Sequence, residues 1–214
     1  MSGYKNIFSY NVDINKNAYL NWRVDKDTPQ RNLAQLADGY ALAAKKLLED
    51  VLKDNHSKDA DILIFPILYS VDQMIELYLK AIICEIEILI EGKATSYKTH
   101  DIKSLLDTMI AKVKKRESKT AGLNKHLAEV KNYIDELYSY IKETDANGKP
   151  KINIDFARYP FDTDLSPHFY VAAADNVVVN LELLLEQLNA VYESLKSLYF
   201  MYEEEIAAEN ENYD

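Results

Sequence analysis

The chain has 214 residues, 48% of them apolar, a net charge of −10 and a single cysteine. That acidic balance argues against attraction of the whole surface to nucleic acid or to an anionic membrane, and one cysteine excludes an intrachain disulfide. Only 5 glycines and 5 prolines punctuate a chain long enough to bury a sizeable core, which favours long helices over many short strands.

Residues 1–28 are polar, asparagine-rich and aperiodic, and read as an irregular arm pinned by Tyr19 and Trp22. The arm has no uninterrupted apolar run, so no secretory leader is expected. A first helix is expected after Thr28-Pro29, with Thr28 as N-cap. Leu33, Leu36, Ala37, Tyr40, Ala44, Leu47, Leu48 and Val51 then recur at helical spacing.

A second helix is expected over residues 59–90, starting or kinking at Pro66. It is apolar nearly all round, as a central bundle helix should be. Asp72, Glu76, Lys80, Glu85 and Glu87 interrupt it, which excludes a simple membrane span. Cys84 lies in its apolar pattern and reads as a buried, inert thiol of a cytoplasmic protein.

Thr99 or Asp101 can cap a third helix over residues 102–115. A fourth is expected over residues 121–143, where Leu123, Leu127, Val130, Ile134, Leu137 and Ile141 form a heptad seam. After the turn signal Ala146-Asn147-Gly148, residues 152–156 alternate apolar and polar. They read as a strand that pairs with residues 169–171 in a hairpin. The last helix is expected over residues 175–208, again on a heptad seam, with an acidic tail beyond it. The expected fold is all-α: an antiparallel bundle of about five helices with a small β-hairpin before the last. Residues 29–208 would form one domain and 209–214 a tail.

Asp72, Glu76 and Lys80 share one helix face at i,i+4 spacing. Buried carboxylates need partners, and two of them against one lysine leave a charge for an arginine to match. Arg158, in "FARYPFDTDLSPH", is the candidate. The set reads either as a structural ion network or as part of a site. His100, in "KTHDIKSLL", stands at a helix start, where it either moves protons beside a bound phosphate or simply fixes the loop. Lys112, Lys114, Lys115 and Arg116 form the basic cluster, to be read as a nucleic-acid contact or as a solvated helix end. Gly-rich phosphate loops and zinc-like ligand spacings are absent from the sequence, and no metal or other cofactor is expected.

Three stretches, "PILYSVDQMIELYLKAII", "KTHDIKSLL" and "FARYPFDTD", occur in this order, and the chain resembles the HEPN-like helical proteins of bacteria over residues 60–200. The resemblance implies a dimerising helical bundle that works in abortive infection or toxin–antitoxin defence, by binding a phage protein, a cognate toxin or antitoxin, or RNA. It also implies two alternatives: a metal-independent endoribonuclease, here using His100 and Arg158, or a non-catalytic antitoxin or scaffold. Ribonucleases of that family carry an arginine and a histidine four to six residues apart. This chain departs from that spacing, because Arg158 and His168 have nine residues between them, as do Arg116 and His126.

Overall fold

A computed structural model describes residues 6–95, 97–117, 120–144, 150–152 and 154–211. Among these, seven helices are present: α1 (Pro29–Lys53), α2 (Ala60–Glu91), α3 (Ile102–Arg116), α4 (Leu123–His126), α5 (Ala128–Ile141), α6 (Phe169–Ala172) and α7 (Leu181–Glu211). The fold is all-α. α2 is its axis, packed against α1, α3 and α7, while α5 packs on α7. Ile67, Val71, Met74, Ile75, Leu79, Ile82, Ile83 and Ile86 of α2 are wholly buried among them.

α2 meets the length and composition test for a membrane span, but it carries five charged residues that are themselves buried under its neighbours. Pro66 sits inside it without ending it. The carbonyl it leaves unmatched belongs to Ile62, in an exposed turn, where water can take over the hydrogen bond. Gly92 stops the helix in a left-handed conformation at φ 72°, which a β-carbon would disfavour.

Local chemistry accounts for several departures from the sequence reading. Thr28 precedes α1, but its hydroxyl makes no cap bond; Asn32 instead reaches back to the backbone of Asp25. Tyr19 and Trp22 pack on each other and stay exposed, so they do not pin the arm to the core. The fourth expected helix is two, broken at Leu127. Ser194 of α7 donates its hydroxyl to the His126 carbonyl at 2.6 Å, which draws that carbonyl out of the helical ladder. The last helix begins six residues later than expected, where the Asn180 side chain caps the N–H groups of Glu182 and Leu183.

The expected hairpin is also replaced. Residues 154–157 form a 3-10 turn and residues 169–172 the short α6. The winding turns Phe156 and Ala157 inward together and brings Phe156 against Phe169, with ring centroids 5.6 Å apart. A strand would have pointed alternate residues to opposite faces. The observed pairing is antiparallel, between β1 (Lys142–Thr144) and β2 (Pro150–Ile152). The turn signal between them lies outside the described residues. His168 is buried at the start of α6, with its backbone N–H on the Pro160 carbonyl at 3.1 Å.

Candidate functional site

One face of α2 carries Tyr69, Asp72, Gln73, Glu76 and Lys80, because steps of three and four residues return a helix to the same side. α2 is the buried axis, so this polar face is buried too: Glu76 is 3% exposed and Lys80 9%. Glu76 accepts from Lys80 Nζ at 2.7 Å and from Gln73 Nε2 at 3.4 Å. Its third partner comes from outside the helix, His100 Nδ1 at 3.0 Å.

The start of α3 holds His100 in place. Asp101 caps that helix, accepting from the N–H groups of Lys103 and Ser104 at 3.1 and 3.2 Å, and also accepts the Tyr138 hydroxyl at 2.5 Å. These bonds fix the loop and occupy the helix's first donors, so α3 offers no open anion site at its start. The His100 side chain is 67% exposed. In the neutral ring, a carboxylate partner places the hydrogen on Nδ1 and leaves Nε2 as the acceptor nitrogen.

Arg158 does not bond Glu76. Its guanidinium pairs with Asp155 of the 3-10 turn and lies 5.7 Å from the Tyr69 ring centre and 5.5 Å from that of Tyr159. The Asp155 hydrogen bond raises the basicity of Arg158 further. A planar guanidinium held between rings is a preformed fork for an oxyanion. Arg158 and His100 share a cavity of about 120 Å³ with Tyr69, Asp72, Gln73, Glu76, Ile102 and Asp155.

Asp72 is buried as well, 8% exposed. Burial pushes its carboxyl up to about 7, aided by the Glu76 charge and opposed by the Tyr133 hydroxyl, which donates to Oδ1 at 3.0 Å. Glu85, further along α2, is likewise raised to about 7 by burial and by Glu203. Both carboxyls hold protons more tightly in the fold than in the unfolded chain. The stability this confers is therefore complete below about pH 4 and lost as pH rises through 7. Glu87 has the opposite sign. Burial works against its charge, but hydrogen bonds from Lys112, Tyr97 and Thr95 win and hold it at about 2, so its contribution is lost only in strong acid. The melting temperature is expected to be higher at pH 5 than at pH 8, with the difference shrinking in an Asp72→Asn, Glu85→Gln variant. A profile that rises from pH 5 to 8 would contradict this assignment.

The structure brings Asp72, Glu76, Lys80, His100 and Arg158 to one place. It does not bring the basic cluster there, which lies toward the far end of α3, roughly 18–24 Å from His100 at 1.5 Å per residue. Lys112 pairs with Glu87 at 2.6 Å, Lys115 with Glu91 at 3.6 Å, and Arg116 with Glu205 and Glu209 at 2.9 and 3.1 Å. These pairs tie α3 to α2 and α7. Lys114 stays on the exposed side of α3. Cys84 is buried and its thiol pushed up to about 11, chiefly by burial, which leaves it protonated and unreactive.

Sequence reasoning missed Tyr69, Gln73, Asp155, Tyr159 and Tyr133. Tyr69 and Gln73 are readable as members of the Asp72–Glu76 helix face, and Asp155 as an i,i+3 partner of Arg158 once the turn is known to be helical. Tyr133 arrives from 61 residues away, with no local signal. Comparison of the chain with family models, with curated proteins and with solved structures gives no match.

Proposed function

We propose that the chain is a HEPN-like prokaryotic defence protein, of the abortive-infection or toxin–antitoxin kind, and that the cavity beside His100 cleaves RNA without a metal. One observation carries this reading: His100 is bonded through Nδ1 to the buried Glu76 carboxylate at 3.0 Å, in the cavity that Arg158 also lines. A carboxylate on Nδ1 fixes the tautomer in which Nε2 is the nitrogen left to accept a proton. Nε2 takes the proton of a ribose 2′-hydroxyl, and Arg158 offsets the charge that develops on the phosphate. The product is a cyclic phosphate end. Glu76 acts here as a positioning residue, with Lys80 holding it from behind. The reading brings with it an antiparallel bundle that forms a homodimer in the cytoplasm.

A second reading is a non-catalytic protein, an antitoxin or scaffold, that binds a partner protein or RNA. The observation in its favour is the arm, where Ile7, Phe8, Val12, Leu20 and Trp22 are all exposed.

Incubation of the purified protein with total RNA separates the two. Cleavage is expected to survive a metal chelator and to fall by about 100-fold or more in His100→Ala. No cleavage by the folded wild-type protein would leave only the binding reading.

A further inference from the structure

Cleavage of RNA by its own 2′-hydroxyl moves two protons. One leaves the attacking 2′-oxygen and one must reach the departing 5′-oxygen, which is a poor leaving group as an alkoxide. The cavity holds a single histidine, and Arg158 does not give up a proton at ordinary pH. On the ribonuclease reading above, the site therefore needs a second proton carrier.

Asp72 is the candidate. It lines the cavity with His100 and Arg158. Its Oδ1 is held by Tyr133, whereas its Oδ2 is buried with no hydrogen-bond partner among the described residues. An orphaned buried oxygen on a residue that lines the cavity calls for an explanation, and a group bound in the cavity would supply the missing partner once the carboxyl turns toward it. Around Asp72 stand Glu76 on α2, Tyr133 and Tyr138 on α5, His100 before α3, and Asp155 and Arg158 after β2. Tyr133 and Tyr138 are themselves raised by burial and stay neutral. Lys80 and His100 are both committed to Glu76. No cation among them bonds Asp72, so a proton on Oδ2 is the way this site neutralises its second carboxyl.

We propose that Asp72 is the general acid of the site, paired with His100 as general base. The 2′-oxygen attacks phosphorus as its proton passes to His100 Nε2. The phosphorus–O5′ bond breaks as the Asp72 Oδ2 proton passes to O5′. The products are a 2′,3′-cyclic phosphate and a free 5′-hydroxyl, with a protonated His100 and an ionised Asp72 that exchange protons with water. The near-neutral titration of Asp72, at about 7, suits an acid that must be both charged and uncharged in each cycle.

The test uses two substrates with one nucleoside: the dinucleoside monophosphate that the wild-type protein cleaves fastest, and the 4-nitrophenyl ester of the same 3′-nucleotide. Nitrophenolate leaves without a proton, so its release needs no general acid. Asp72→Asn keeps the acceptor for Tyr133 and removes the acid. It is expected to lose about 100-fold on the dinucleotide and to stay within a few-fold of wild type on the aryl ester, whereas His100→Ala loses both. Equal loss on the two esters, or no loss on either, overturns the proposal and leaves the ribonuclease reading standing. Failure of the wild-type protein to cleave either ester overturns both. If Asp72→Asn does not fold, the wild-type pH profiles decide. An alkaline fall near pH 7 on the dinucleotide, absent on the aryl ester, is the expected result, and the same fall on both overturns the proposal.

Discussion

Glu76→Ala is expected to lower the free energy of unfolding by about 3–5 kcal/mol, the usual penalty for breaking a buried ion pair on one side. Lys80 would be left 9% exposed with no carboxylate to hold it. Neighbouring α2 positions offer no substitute, because the adjacent acid, Asp72, carries a proton up to about pH 7. The loss should reverse when the lysine goes too. Glu76→Leu with Lys80→Met puts apolar volume into the core's axis and should restore most of the stability. Urea denaturation of the two variants beside the wild type measures both effects. A cost under about 1 kcal/mol for Glu76→Ala, typical of surface pairs, would mean that the pair is solvated and the axis less dry than its burial indicates. On the proposed ribonuclease reading, the repaired double variant should still lack activity, since His100 would have lost the group that orients its ring.

On the proposed ribonuclease reading, Arg158→Ala should behave in the opposite way, stable but inactive. Its pair with Asp155 is 44% and 42% exposed, and such pairs contribute about 0–1 kcal/mol. Loss of a preorganised charge facing a phosphate costs about 100- to 1000-fold in rate. Phe156→Ala, two residues earlier, reverses the pattern. Phe156 is 2% exposed and packed on Phe169, so its truncation should cost about 3–5 kcal/mol. Thermal melts read beside RNA cleavage separate the two variants. A drop of more than about 2 kcal/mol for Arg158→Ala would make that arginine a structural tie instead.

The helices were legible where periodicity ran long. Over α1, α2, α3 and α7 the apolar spacing locates each element to within a few residues at most boundaries, since burying one stripe of a long helix constrains every fourth or third position. It failed where the signal was short. The alternation at residues 152–156 covers too few positions to tell a strand from a 3-10 turn, and what decided it was the joint burial of Phe156 and Ala157. The heptad seam through Leu127 continues across a break that no local residue announces, because its cause, Ser194, lies 68 residues away on α7.

The same division runs through the site. By itself the sequence determined that Asp72, Glu76 and Lys80 share a face of an apolar helix, because helical geometry alone places them, and that such a face must find partners, because buried charge is costly in any fold. It determined too that Asp101 could cap a helix and so set His100 at its threshold. Only the tertiary structure decided which donor reached which acid. His100 took Glu76, Tyr133 took one oxygen of Asp72, and Arg158 stayed at the cavity rim, stacked beside two tyrosines and bound to Asp155. Those choices depend on distances between elements tens of residues apart, which are fixed by how whole helix faces pack. The packing also set the proton affinity of Asp72, since desolvation belongs to a position in the folded protein and not to a residue type.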